Sequence, residues 1–310
     1  MKKVFIIDGG AGRVVAAIPA LEKYVTLHPE EDIHIVIFGW DNLVWGNTLL
    51  QDITYNADTK GIFDSFIKDC DVIVSPEPYR VPAYFNQKIS LIEAFDVAIN
   101  GTADHTDLPK LKLYTNKAEE KNAANIIADV RAQQKKQKTI VIQPFGRSAR
   151  VDRGDIIDDS SRGLDSATYL KLVKKLSTKY NLILFAEKEF HLPEDTFTMK
   201  LEMELRIWLG IIDSCDYFIG CDSVGQHIAR ALDKKGSVIL GSTFAINTSY
   251  PDWFNIIEKE NVKKYSPIRV CGLDGHLADR YNDKCMDFSD EEINTVFLSI
   301  VNDIEKKADK

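Results

Sequence analysis

The feature that most constrains the fold is a repeated pattern: a short apolar segment, then a small polar loop, then a segment with helical spacing of apolar residues. The pattern is clear after the apolar segments at residues 3–7, 139–143 and 217–221. Short apolar runs bounded by glycine and polar residues are typical of strands buried on both faces, which belong to parallel sheets covered by helices. The pattern therefore predicts an α/β protein with mainly parallel sheets.

The pattern occurs in two series, and a chain of 310 residues is long enough for two domains. Residues 116–138 separate the series; they are rich in Lys, Ala, Glu and Gln and contain no proline or glycine. We expect a long exposed helix there, with a first domain at 1–115 and a second at 116–288. A last helix is predicted to begin after Ser289, a good N-cap; within 289–310 it is a candidate to pack back on the first domain.

Composition indicates an ordinary globular protein and excludes some partners. The net charge of −8 and pI near 5.4 give no general attraction to nucleic acid or anionic membrane. The apolar run near the N-terminus is too short for a signal peptide, and no segment approaches a membrane span. The five cysteines form no C-x-x-C pair, so we expect reduced thiols, no zinc site and a cytoplasmic protein.

The strongest candidate site lies between the apolar run 217–221 and a helical pattern that continues to residue 232. A helix N-terminus presents free backbone N–H groups and a partial positive charge, and in open α/β sheets ligands bind at the carboxyl ends of strands. The alternative is that Asp222 or Ser223 only caps the helix. The candidate residues are Asp222, Ser223, Val224, Gly225, Gln226 and His227.

Further strand ends carry candidate groups. The first strand runs into a glycine-rich turn at residues 8–13, where backbone can approach a ligand closely; a plain tight turn is the alternative, since no third glycine completes a dinucleotide fingerprint. Residues 100–107 form a polar loop with three titratable groups, a pattern also typical of a solvated turn. In the second series, Gly146, Arg147, Ser161, Arg162 and Glu187 follow or flank strands and could share one crevice with residues 222–227.

These residues resemble the heptosyltransferase-like glycosyltransferases, family 9 in the usual classification. The family's Asp-Thr/Ser-Gly-x-x-His loop is similar to residues 222–227, ahead of a helix rich in Ala and Leu. In the family, a strand ends in a loop of small residues, and a Lys or Arg stands just before the next helix. Residues 144–146 and Arg162 look like this pair, although more residues separate them here. Residues 12–21 are similar to the family's Gly-Asp-x-x-x-x-x-Pro-Ala-Leu segment.

The resemblance implies the GT-B fold, in which two Rossmann-like domains with mainly parallel sheets face each other across a cleft. It also implies an enzyme that moves a hexosyl, heptosyl or pentosyl group from a nucleotide sugar to an acceptor hydroxyl. We expect inversion at the sugar, with no metal and no cofactor besides the nucleotide-sugar co-substrate. The leaving diphosphate is then held by residues 223–226 with Arg162 and Arg147, and Asp222 orients the loop or the donor sugar. His227 reaches the sugar or a phosphate, with a histidine packed in the helix as the alternative. Glu187 accepts from the ribose hydroxyls, with a solvated charge as the alternative.

One position departs from the family. The Asp that usually serves as catalytic base is replaced by Arg13, which cannot act as a base. Asp8, at the end of the first strand, is the first substitute candidate; Asp104 and His105, together with Asp107, are the second. Gly10, Gly12 and Arg13 are candidates for binding an anionic acceptor or a donor phosphate, since guanidinium suits bidentate phosphate contacts.

The acceptor stays open. A glycan such as lipopolysaccharide core is the family expectation, and a hydroxylated base in DNA, as in phage DNA glycosyltransferases, is the alternative. Residues 1–112 contain ten Lys and Arg against sixteen Asp and Glu, whereas duplex DNA normally requires a basic face. A third alternative, a nucleotide-sugar-binding protein without turnover, follows from the replacement of the expected base by Arg13.

Overall fold

The computed structural model describes residues 1–146, 149–152, 155–158, 160–185, 197–199, 205–264 and 284–306. Two parallel sheets organise them. The first has the strand order β3-β2-β1-β4. Its strands are β1 (Lys2–Ile7), β2 (Asp32–Ile37), β3 (Thr54–Asn56) and β4 (Val72–Val74), and its helices are α1 (Ala11–Leu27), α2 (Pro82–Phe85) and α3 (Leu91–Asn100).

The second sheet has six strands in the order β12-β11-β10-β5-β8-β9, and its neighbouring strands all pair in parallel. A separate antiparallel hairpin, β6 with β7, lies outside both parallel sheets. The strands are β5 (Thr139–Gln143), β6 (Arg150–Asp152), β7 (Asp155–Ile157), β8 (Asn181–Phe185), β9 (Phe197–Met199), β10 (Tyr217–Gly220), β11 (Gly236–Leu240) and β12 (Asn255–Glu258). The helices are α4 (Lys117–Gln134), α5 (Ser166–Ser177), α6 (Leu205–Ser214), α7 (Val224–Ala231), α8 (Ala245–Thr248) and α9 (Asp290–Lys306).

Side-chain caps set the starts of the predicted helices. Asn116 accepts backbone N–H bonds at the start of α4, and Glu119 bonds back to the Asn116 N–H, a complete capping box. The same exchange joins Ser289 and Glu292 at the start of α9. The sequence signals for both helix starts are therefore confirmed.

The last helix packs differently from our expectation. Helix α9 lies against α5 and β12 of the second domain, and Ile293, Ile300 and Ile304 belong to a buried cluster built from that domain alone. The Tyr217 hydroxyl of β10 also donates to Asp303 Oδ2 at 2.6 Å. These contacts assign α9 to the second domain and argue against packing on the first.

The two domains share one continuous apolar core. Its cluster extends from the strands and α1 of the first domain into α6, α7 and β10 of the second. Helix α1 is buried along most of its length, and it packs against α3 of its own domain and against α7 of the other. The carboxyl ends of β1 and β10, where α1 and α7 begin, are thereby brought together. Among the described residues, no helix combines the length and apolar character needed to cross a membrane.

Candidate active site

The strand order of the second sheet creates a topological switch point between β5 and β10. From β5 the sheet continues outward to β8 and β9, and from β10 it continues the other way to β11 and β12. Gln143 and Gly220, the last residues of β5 and β10, are paired directly, so the loops that follow leave the sheet side by side. Ligands of open α/β sheets bind in the crevice between two such loops.

The Gln143 side chain joins the two loops. It is 2% exposed; its Oε1 accepts the backbone N–H of Gly225 at 2.8 Å, and its Nε2 donates to Ser223 Oγ at 2.9 Å and to the Phe145 carbonyl at 3.1 Å. The Gly225 N–H is thus already occupied and is not available to a phosphate. In the described residues, the backbone N–H groups of Val224 and Gln226 remain without a protein partner at the start of α7.

Two predicted donor-binding side chains point into the protein. Gln226 is fully buried, and its Nε2 donates to the Thr248 carbonyl at 2.9 Å and approaches Asp222 Oδ1 at 3.5 Å. Asp222 is 5% exposed. The Gln226 side chain therefore anchors the loop that contains α8, and its route to a ligand is its backbone N–H.

Arg162 supplies positive charge at this crevice. Its Nε donates to Ser160 Oγ at 3.0 Å. Burial acts to lower the pKa of the guanidinium, but the carboxylates of Asp222 and Asp158 outweigh it and raise the pKa. Arg162 therefore stays cationic beside the loop that starts α7.

The remaining predicted residues of the second domain have mixed placements. Ser161 has a left-handed backbone, with φ of 54°, in the turn before Arg162, and its N–H donates to the Asp158 carbonyl at 2.8 Å. Gly146 is buried in the loop after β5. Arg147 and Glu187 lie outside the described residues.

His227 is a neutral, packed side chain. Its Nδ1 lies 2.7 Å from the Tyr250 hydroxyl, and the residue is 5% exposed. Burial, with a smaller contribution from the positive charge of Arg162, lowers its pKa to about 4. At neutral pH the imidazole carries no charge, so His227 contributes hydrogen bonding and shape to the crevice rather than a cation.

The first sheet has a switch point of its own, between β1 and β4, and Arg13 spans it. The buried guanidinium donates to the Asp8 carbonyl and Asp8 Oδ1, both at 3.1 Å, to Glu77 Oε1 at 3.0 Å and to the Pro76 carbonyl at 3.3 Å. Four of its five N–H groups are thus used within the first domain. This placement argues against the prediction that Arg13 binds a phosphate or an anionic acceptor.

Asp8 remains accessible although it contacts Arg13. Its side chain is 52% exposed, although one carboxylate oxygen contacts Arg13. The Asp8 carboxylate lies within hydrogen-bond distance of Arg13, the position at which the resemblance to family 9 places the base. The structure is therefore compatible with Asp8 as the substitute.

The starts of α1 and α7 touch each other. A Cβ built on Gly12 would lie 2.9 Å from His227 Cδ2 and 3.8 Å from the Val224 Cα. Glycine at position 12 thus permits the close crossing of two helix N-termini, one from each domain. Gly10 has open space around it, with nothing within 4 Å of a Cβ built there. The glycine-rich turn at residues 8–13 and the loop that starts α7 therefore lie side by side, one from each domain.

The second set of base candidates lies elsewhere. Lys23 Nζ donates to the Asp104 carbonyl at 3.3 Å, and His105 Nδ1 lies 2.8 Å from Asp96 Oδ2. Lys23 is three turns along α1 from Gly12, about 16 Å at 1.5 Å per residue. Asp104 and His105 are therefore near the far end of α1, and this placement argues against a catalytic role for either.

Sequence reasoning missed several residues around the crevice. Gln143 had one signal, a polar residue ending an otherwise apolar strand. Tyr84 had none: it is 1% exposed, and burial, followed by the electrostatic effects of Tyr79 and Asp222, raises its pKa. Asn247 of α8 donates to the Tyr84 carbonyl at 3.0 Å and to the Ile89 carbonyl at 3.1 Å, which fixes this segment of the first domain against the second.

Comparison with known proteins gives matches among solved structures alone. No protein-family model matches the sequence, and no curated protein matches it significantly. E. coli ADP-heptose LPS heptosyltransferase II matches with a TM-score of 0.67 at 13% identity, over 100% of both chains. A family 9 glycosyltransferase of Veillonella parvula matches with a TM-score of 0.59 at 11% identity, over 83% of this chain and 85% of that one. TibC of enterotoxigenic E. coli, an iron-containing dodecameric glycosyltransferase, matches with a TM-score of 0.64 at 11% identity, over 98% and 78%.

These similarities extend over both domains. The expected two-domain α/β architecture is confirmed. The chain therefore has the GT-B fold of the heptosyltransferase-like glycosyltransferases of family 9.

Proposed function

We propose that the protein is a glycosyltransferase that moves a sugar from a nucleotide sugar to an acceptor hydroxyl. The observation that carries the proposal is the meeting of two helix N-termini, α1 and α7, at the switch points of two facing sheets. A donor on one sheet and an acceptor on the other would then lie within reach of each other. TibC, which shares the fold, has been solved with ADP-D-β-D-heptose.

The donor diphosphate binds at the start of α7 in this proposal. The N–H groups of Val224 and Gln226, the Ser223 hydroxyl and the guanidinium of Arg162 surround that position. A helix N-terminus is a ready-made anion site, and charge-assisted hydrogen bonds from such groups stabilise a leaving diphosphate as negative charge develops on it. Arg147 and Glu187 remain proposed donor ligands on sequence grounds.

The catalytic base in the proposal is Asp8. A carboxylate near the acceptor takes the proton of the attacking hydroxyl, and the oxygen then displaces the nucleoside diphosphate from the opposite face of the sugar, which inverts the anomeric centre. The exposed half of the Asp8 side chain faces solvent at the carboxyl edge of β1. Arg13 holds the other side of the carboxylate and so fixes its orientation.

A glycan is the acceptor that we propose. The acidic balance of the first domain, ten Lys and Arg against sixteen Asp and Glu in residues 1–112, disfavours duplex DNA. The E. coli structure with matching fold belongs to a lipopolysaccharide heptosyltransferase, which supports a lipopolysaccharide-core or related glycan. Modified DNA would be the second acceptor class in the same assay.

A donor screen tests the proposal. Purified protein is heated with ADP-, UDP-, GDP-, CDP- and dTDP-linked sugars at millimolar concentration, and the ligand that raises the Tm is then offered with glycan acceptors and hydroxymethylated DNA. We expect one nucleotide series to raise the Tm, because ligand binding to the folded state stabilises it. Absence of any shift would rule out the donor site. A shift with no transfer and no hydrolysis would favour the binding protein without turnover.

A further inference from the structure

We propose that Gln143 is a positioning residue that aims the Ser223 hydroxyl proton at the donor diphosphate. The inference rests on the proposed function, because it deepens the assignment of the α7 N-terminus as the diphosphate site. Gln143 is the last residue of β5, and it acts through Ser223, which lies in the loop between β10 and α7.

The orientation of the Gln143 amide is fixed by two backbone partners. The Gly225 N–H can only donate, so the atom 2.8 Å from it is the carbonyl oxygen Oε1. The Phe145 carbonyl can only accept, so the atom 3.1 Å from it is the amide nitrogen Nε2. Both backbone partners demand the same assignment, and a flipped amide would oppose two like groups at once.

This orientation determines what Ser223 can do. The Nε2 group lies 2.9 Å from Ser223 Oγ and has only protons to offer, so the hydroxyl oxygen accepts that bond. The single Ser223 proton must then point elsewhere. Within the described part of the chain it has no acceptor, and the Ser223 residue is partly exposed at the crevice. The proton is available to an anion at the start of α7.

The same contact explains why Gly225 is not a phosphate ligand. Gln143 Oε1 satisfies its N–H, which otherwise would be a buried donor without a partner. A Cβ on residue 225 would lie 2.2 Å from that oxygen, so glycine is needed for the contact to form. The diphosphate is therefore bound by the backbone N–H groups of Val224 and Gln226 and by the oriented hydroxyl of Ser223.

The test substitution is Gln143→Glu, which preserves size and shape. An ionised carboxylate still accepts from Gly225, but it has no proton for Ser223 and takes the serine proton instead. It also places negative charge at the anion site. Affinity for the nucleoside diphosphate chosen by the donor screen, measured by isothermal titration calorimetry at pH 8, should fall roughly tenfold or more.

The decisive readout is pH dependence relative to the wild type. A protonated carboxyl can accept from Gly225 and donate its one proton to Ser223, so that only the bond to the Phe145 carbonyl is lost. The deficit of the variant should therefore shrink as the pH is lowered toward 5. Asp222, Arg162 and His227 also line the crevice, but they are common to both proteins, so the ratio of the two affinities removes their contribution.

Gln134→Glu is the matched control. The Gln134 amide also bonds backbone groups: it accepts from the Leu182 N–H at 2.7 Å and donates to the Leu182 carbonyl at 3.1 Å. Leu182 is near the amino-terminal end of β8, whereas Gln143 is at the carboxyl end of β5. Its substitution should leave diphosphate affinity unchanged at both pH values. If Gln143→Glu does not fold, Gln143→Met replaces it; its affinity loss should vanish in a Ser223→Ala background, since the effect acts through that hydroxyl.

The outcomes separate the inference from the function on which it rests. If the wild type binds no nucleoside diphosphate, the proposed function fails. If the wild type binds and Gln143→Glu binds equally at pH 8, or is impaired to the same degree at both pH values, the positioning role is overturned. The positioning role would also be overturned if Gln143→Met lowered diphosphate affinity equally in the wild-type and Ser223→Ala backgrounds.

Discussion

At the scale of single residues, a cation and a carboxylate are in contact in the first turn. Arg13 donates to Asp8 Oδ1 at 3.1 Å, and it also joins the strand ends at the switch point through Glu77 and the Pro76 carbonyl. The resemblance to family 9 places the base at position 13, and our proposal assigns it instead to Asp8, five residues earlier in the chain.

Replacement of Asp8 tests its proposed role as the base. Asp8→Asn keeps the side-chain shape but removes the basic carboxylate, so we expect the transfer rate to fall by ~10²–10⁴-fold with little change in donor affinity. The measurement is kcat with saturating donor, alongside calorimetric titration of the nucleoside diphosphate. Asp104→Asn is the control and should retain activity, since Asp104 lies near the far end of α1. A full rate in Asp8→Asn would exclude Asp8 as the base.

His227 gives a second prediction at this scale. Its folded pKa of about 4 is below the value of 6.5 for a free imidazole, so between these pH values the unfolded chain binds the extra proton. The contribution of His227 to stability is complete above pH 6.5 and is lost as the pH falls toward 4, by up to about 3 kcal/mol. Urea unfolding at pH 7.5 and pH 5 should show a larger loss for the wild type than for His227→Gln. Equal losses would contradict the prediction.

The predicted site residues differ in how local their sequence signal is. Ser223 and Val224 could be placed from sequence because a strand end followed by a helix pattern fixes its own geometry. Asp104 and His105 could not be placed, because their distance from the crevice depends on the course of α1 and α3 through the whole domain. Arg13 was recognised as a departure, but its partner Glu77 is 64 residues away in the chain.

At the scale of secondary-structure elements, the crossing of α1 over α7 is the contact that assembles the site. The sequence indicated both helices, since each shows apolar periodicity after a strand. It did not indicate that they cross, because a glycine at position 12 is also typical of a plain tight turn. The packing of α9 was also missed. Its sequence shows an apolar face, but an apolar face does not indicate which part of the protein packs against it.

Gly12→Ala tests the crossing. Alanine favours a helix by up to ~1 kcal/mol over glycine, but the new Cβ would lie 2.9 Å from the ring of His227. That ring is held by Tyr250 and cannot move freely. We expect net destabilisation of about 1–2 kcal/mol, measured by urea unfolding, and weaker donor binding. Gly10→Ala, where the new Cβ has nothing within 4 Å, should be close to neutral; similar losses in both variants would refute the helix-crossing explanation.

At the scale of the whole molecule, the two sheets were predictable and their relation was not. Alternation of strand and helix patterns implies parallel sheets wherever it occurs. The shared core, the Asn247 bonds to Tyr84 and Ile89, and the contact at Gly12 all join residues far apart in sequence. Such contacts depend on the final positions of both domains, so no local sequence pattern predicts them.

This arrangement leads to a prediction about metals. Two helix N-termini and Arg162 surround the proposed diphosphate position, so positive potential is supplied by the protein itself. In the described part of the chain, the one group of three His, Cys, Asp or Glu side chains close enough to share an ion is His28, Glu30 and Glu31. It lies just past the C-terminal end of α1, about 24 Å from Gly12 at 1.5 Å per residue, so an ion held there would not touch the leaving group.

We therefore expect the transfer rate to be unchanged after dialysis against EDTA and insensitive to added Mg²⁺, Mn²⁺ or Fe²⁺. The iron in TibC makes the comparison informative, because that protein shares the fold. His28→Ala serves as the control, since it removes one of the three side chains and should not alter the rate. Activity that EDTA abolishes and one of these ions restores would show that the helix termini and Arg162 are insufficient to stabilise the leaving diphosphate.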